Sequence, residues 1–120
     1  MNIERALFSF WSNFGIPAYD ENSVPDNAKM PYITYEVRGG FFNTTVFLTA
    51  NIWHRSSSWE TISKKAKEIA DFITRGGRMF MEGSDVMWIK RGDTWNEHMS
   101  DPEDPGILRS MITVEVEFLD

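Results

Sequence analysis

The chain holds no cysteine and only two histidines in 120 residues. Without cysteine there is no disulfide framework and no thiolate chemistry, a composition that fits a reducing cytosol. A zinc centre wants three or four nitrogen, sulfur or oxygen ligands at recognisable spacing. His54, near a predicted strand end, and His98, in an acidic irregular stretch, offer no such pattern. No window approaches the run of about 18 apolar residues that a membrane-spanning helix requires. The opening MNIERALFSFW places Glu4 and Arg5 where a signal peptide would carry a basic cluster and then an unbroken apolar run. Catalytic motifs are missing too. Ser56, Ser57 and Ser58 have no Gly-x-Ser-x-Gly elbow and no nearby base. Gly39-Gly40 and Gly76-Gly77 lack the Lys-Ser/Thr and GxGxxG contexts of phosphate and dinucleotide loops. Asp101, Glu103 and Asp104 lack the glycine and the closing bidentate glutamate of a calcium loop. The sequence therefore names no catalytic residue, no metal ligand and no cofactor.

Basic residues are also scarce in one place. Residues 1–91 hold eleven Lys or Arg against ten Asp or Glu, a balance of +1, whereas residues 92–120 hold one Arg against eight acids, a balance of −7. Affinity for nucleic acid comes mainly from Lys and Arg displacing counterions from phosphates. The acidic end thus argues against direct DNA binding, while suiting a surface past which DNA must slide without sticking.

What remains is an ordinary globular composition, 42% apolar and 25% charged, with no disorder signature, on a chain of single-domain length. Ile3, Ala6, Leu7, Phe10, Trp11 and Phe14 predict an amphipathic first helix, with Asn2 as N-cap and Gly15 ending it. An acidic, turn-rich stretch runs from Asp20 to Lys29, after which Pro31 opens a strand over Tyr32 to Arg38. Gly39-Gly40 breaks that strand. From Val46 the chain alternates, with Val46, Leu48, Ala50 and Ile52 on one face and Phe47, Thr49, Asn51 and Trp53 on the other. Ser57 and Glu60 read as a capping box, followed by Ile62, Ala66, Ile69, Ala70 and Ile73 at helical spacing, with Lys64, Lys65 and Lys67 on the solvated face. Gly76-Gly77 is the expected C-cap. Arg78 to Glu82 reads as a short extended piece and Val86 to Arg91 as a further strand. Gly92 to Gly106 shows no periodicity and reads as a long mobile loop. Arg109 to Leu119 closes the chain as a strand with Ile112, Val114, Val116 and Phe118 inward and Thr113, Glu115 and Glu117 outward. The expected fold is α+β: one domain over residues 1–120, a mainly antiparallel four-stranded sheet with two amphipathic helices packed on one face.

Aromatic residues exceed what one core face can bury. Phe47 and Trp53 share the strand face opposite four aliphatic positions, and Phe41, Phe42 and Trp95 fall in predicted loops. Several such residues together favour a protein–protein contact, where Trp, Tyr and Phe are enriched.

Three segments, NIERALFSFWSNFGIPAYDENSVPDNAKMPYITYEV, LTANIWHRSSSWETISKKAKEIADFI and MWIKRGDTWNEHMSDPEDPGILRSMITVEVEFL, carry a resemblance over nearly the whole chain. The chain resembles the small tail-completion or tail-terminator proteins of long-tailed bacteriophages and prophages, including the group labelled phage minor capsid protein. The order of helix, PYITYEV-type strand, strand leading into an amphipathic helix, and final alternating strand is similar to the layout of lambda-type tail terminators. The resemblance implies a virion protein with no substrate or cofactor: a homo-oligomeric ring, commonly a hexamer, that caps the tail tube and supports head–tail joining. Its implied partners are other copies of itself and the tail-tube and neck proteins, with no membrane and no specific nucleic acid. On that reading Glu115 and Glu117 become candidates to line the passage. Head-closure and minor capsid roles in the neck are the alternatives, and a small ligand-binding module or enzyme is a more distant one.

Overall fold

The computed structural model describes residues 2–38 and 42–119. Helix α1 (Ile3–Trp11) turns Ile3, Ala6, Leu7, Phe10 and Trp11 inward, and Asn2 caps it by accepting the Arg5 N–H on Oδ1 at 2.9 Å. A 3-10 turn over Ser12–Phe14 follows, and Gly15 ends it at φ 77°, a left-handed conformation that glycine adopts without steric cost. Strand β1 (Ala18–Asp20) leads through an irregular stretch to β2 (Tyr32–Tyr35), and then comes β3 (Thr45–Arg55). Helix α2 (Glu60–Ile73) precedes β4 (Arg78–Glu82), β5 (Asp85–Ser100) and β6 (Ile107–Leu119).

The α+β class holds, but the sheet has six strands rather than four, in the order β1-β2-β3-β6-β5-β4. It is mixed: β1 runs parallel to β2, and the other neighbours are antiparallel. β1, at one edge, is too short to show a period in sequence. Both helices lie on one face. Val46, Leu48, Ala50 and Ile52 of β3 and Ile112, Val114, Val116 and Phe118 of β6 bury against them, as their alternation predicts. Phe10 and Phe14 from the first helical segment, Phe72 from α2 and Phe80 from β4 interlock edge-on, with ring centroids 5.4–5.9 Å apart in the closer pairs. Phe10 is wholly buried, and removing such a side chain from water contributes about 2–3 kcal/mol.

Several local expectations give way. The capping box at Ser57 and Glu60 does not form. Ser58 Oγ accepts the Glu60 N–H at 3.1 Å, Ser56 Oγ accepts the Ser58 N–H at 3.0 Å, and Glu60 pairs with Lys64 one turn on. Two overlapping two-residue serine turns satisfy the donors more locally than the box would. The C-cap of α2 is Thr74, at φ 72°, rather than Gly76-Gly77; its hydroxyl donates to the Gly77 carbonyl. β2 stops at Tyr35, three residues short of the expected end.

The largest correction is Gly92–Gly106. Residues up to Ser100 continue β5, leaving only a six-residue turn before β6. The period is hidden because the register shifts between Arg91 and Asn96, a bulge that breaks the alternation. Gly92 sits there against β6, where a Cβ would lie 2.8 Å from the Thr113 carbonyl oxygen.

Candidate functional site

Two surfaces carry the surplus aromatic and charged residues. The first is the sheet face turned away from the helices. Directly opposed residues of antiparallel neighbours share a face, so the register orders this surface into rows. Met81, Val86 and Leu119 form one row, and Met79, Trp88, Glu117 and Thr45 the next. Lys90, Glu115 and Phe47 follow, and nearer the other end come Met99, Arg109, Trp53 and Tyr32. Phe47 is 58% exposed, Met79 47% and Met81 66%, so several large apolar side chains meet solvent on one face.

The expected contact residues divide here. Phe47 projects freely, and Phe42 is exposed beside the end of β6, bridging to Phe118 through the backbone. Trp53 is half-buried: its indole N–H donates to Thr34 Oγ1 at 2.9 Å and the Arg109 guanidinium carbon sits 5.3 Å from its ring centroid. Trp95 does not belong to a loop; it is part of β5 and packs against the core, its N–H donating to the Ala66 carbonyl at 3.2 Å. Phe41 lies outside the described residues. Glu115 and Glu117 are half-buried on the outer face beside a shallow depression of about 210 Å³ that Thr45, Trp88 and Lys90 also line. Lys90 stands opposite Glu115, so the face is less purely acidic than the sequence count implies. Met79 and Met81 were missed, although their alternation around the inward Phe80 is readable in RMFME.

The second surface is a cleft of about 460 Å³ between α2 and the distal half of β5. One wall is a stripe of α2, with Ser63, Lys67 and Asp71 at its rim and Ala66 and Ala70 deeper. The strand supplies Arg91, Trp95, Asn96 and His98. Arg91 Nε donates to the Ala70 carbonyl at 2.9 Å, so Arg91 and Trp95 strap β5 to the helix one turn apart. His98 stacks on Trp59 with ring centroids 4.4 Å apart, and its ring nitrogens lie 3.2 Å from Ser110 Oγ and 3.3 Å from Ser63 Oγ. This chain continues to Asn96 and ends in neutral groups. A Ser–His relay works through a carboxylate that stabilises the imidazolium, and among the described residues no carboxylate hydrogen-bonds to His98; its contacts fasten the strand to the helix.

Among the described residues, no group of three or more His, Asp or Glu side chains is placed to hold a metal ion. His54 is half-buried, with Nδ1 lacking a hydrogen-bond partner among the described residues. The turn after β5 is organised by its own acids: Asp101 Oδ1 accepts the Glu103 and Asp104 N–H groups, and Asp104 pairs with Arg55 at 3.0 Å. The Arg55 hydrogen bond, then the Gly106 N–H, hold the Asp104 carboxyl below its ordinary range. Asp85 is buried under α1, accepting the Asn2 N–H at 2.8 Å and two Arg5 hydrogen bonds at 2.8 and 2.6 Å. The Asn2 N–H first, and Arg5 second, hold its carboxyl below its ordinary value. No helix among the described residues is long and apolar enough to cross a membrane. No protein-family model matches the chain, and no curated protein matches it in sequence.

Proposed function

We propose that the chain is a structural protein of a tailed phage or prophage particle, assembling with copies of itself into a ring that terminates the tail tube and supports head–tail joining. The resemblance of its sequence to tail-completion proteins is the starting point. The observation that carries the reading is the outer sheet face, where Met79 and Met81 stand exposed beside Trp88 and Leu119, Phe47 stands exposed across the Glu115–Glu117 strip, and no helix among the described residues covers them. Contiguous apolar surface of this kind marks a contact with another protein. β4 adds a strand edge next to it that is unpaired among the described residues, where β4 pairs only with β5, and such an edge invites a partner strand. A ring of identical chains joins two different patches of each copy, and one sheet with two dissimilar edges offers them.

The role so proposed is mechanical rather than catalytic, with the particle's tail-tube and neck proteins as partners and the virion as its place. Electron microscopy of purified protein mixed with tail tubes tests it. Density confined to one end of each tube is the expected result; protein spread along tube walls, or left free in solution, would count against termination.

A further inference from the structure

We infer that the cleft between α2 and β5 receives the acidic turn of a second copy of this chain, with Glu103 of one copy pairing with Arg91 of the next. The inference rests on the ring reading and names one contact of that ring. Arg91 is partly buried, its guanidinium is fixed through Nε on the Ala70 carbonyl, and it makes no ion pair among the described residues. The other charges of the cleft cancel, since Lys67 pairs with Asp71 at 2.9 Å. One positive charge is thus left facing the cleft, with the two terminal nitrogens of a fork that suits a carboxylate.

The complementary group lies on the same chain but elsewhere on its surface. The turn from Asp101 to Gly106 joins β5 to β6, with Pro102, Glu103 and Pro105 exposed. Asp101 is occupied in capping the turn and Asp104 is held by Arg55, whereas the exposed Glu103 side chain has no partner among the described residues. The turn is pre-ordered by those bonds, so little loop entropy is lost when it docks. The cleft is also open on its strand side. β4 pairs only with Asp85–Ile89, so from Lys90 to Ser100 no strand flanks the outer edge of β5 among the described residues. An incoming turn can therefore approach both Arg91 and that edge. Turn and cleft are different patches, as a head-to-tail ring requires.

The absence of cysteine makes the test direct. Ser63→Cys, a neutral change on the cleft rim, and Pro102→Cys, on the exposed turn, are made in separate proteins, mixed at the concentration where the unmodified chain assembles, and treated with a short bis-maleimide. A dimer joining the two variants should form at least tenfold over the dimers that either gives alone. Arg91→Glu in the first protein or Glu103→Arg in the second should cut that yield at least tenfold, and the two together should restore it to within about threefold. Because Glu103 is exposed and its side chain makes no hydrogen bond or ion pair among the described residues, Glu103→Arg decides the matter even where Arg91→Glu fails to fold. Cross-linking indifferent to both charges overturns the pairing. Absence of the mixed dimer while the unmodified chain forms rings overturns this contact alone; absence of both overturns the contact and the ring.

Discussion

Phe47 and Trp53 occupy the same face of one strand yet lead to different expectations. Phe47 is more than half exposed and is not part of the buried core cluster of the described residues. Phe47→Ala should leave unfolding free energy within about 0.5 kcal/mol of the parent and weaken self-association by about 2 kcal/mol, measured by denaturant titration and by sedimentation respectively. Trp53 instead holds Thr34, whose residue is buried, so its truncation would confound assembly with stability. Asp85 supplies the acid sensitivity. A carboxyl whose folded value is lowered contributes stability that is present above its ordinary value of 3.8 and lost as pH falls through the lower one. Thermal unfolding temperature should therefore drop below about pH 4, and Asp85→Asn should make that drop shallower, with Asp104 supplying a remaining part of the same sign. An acid limb unchanged by Asp85→Asn would contradict the assignment. At the alkaline end, burial and then the Asp20 charge push the Tyr35 phenol up to about 12; the stability this represents is full below pH 10 and is lost as pH rises through that value.

Elements with a period were readable in the sequence, and those without one were not. β3, α2 and β6 each bury one clean face, so alternation or helical spacing announces them. β5 changes neighbours along its length: Met87 and Ile89 meet the core, Trp95 and His98 meet α2, and a bulge separates the two registers. No single hydrophobic period survives that change, and the segment looks like a loop. The same blindness hid the second surface, because Arg91, Trp95 and His98 come together only once the strand runs on past Gly92. Gly92→Ala tests the geometry. Its Cβ would press on the Thr113 carbonyl, and the substitution should cost about 1–3 kcal/mol in unfolding free energy; a neutral result would mean that the strand does not pass β6 so closely. Hydrogen exchange should likewise show the alternate amides of Asn96 to Ser100 that face β6 protected in the free protein, as backbone hydrogen-bonded to a neighbouring strand is.

For the whole molecule, charge and shape set what the proposed ring would do. The chain carries −6 overall, and −7 falls in its last 29 residues. Five of the eight acids there lie in the β5 segment and the turn, and Glu115 and Glu117 stand on the outer face, one of them opposite Lys90. With screening over about 8 Å at physiological ionic strength, such a surface repels phosphate only on close approach. We expect no measurable affinity of the free chain for double-stranded DNA at physiological salt, and a salt-sensitive shift in a gel titration would oppose a passage lined by these residues. Closed self-assembly is tested most directly by the mass of the assembled particle. Native mass spectrometry should find one dominant species at a fixed whole-number multiple of 13.9 kDa, unchanged as concentration rises further and lost with Phe47→Ala. A monomer at every concentration, with or without tail tubes, or an open-ended ladder of growing masses, would contradict it.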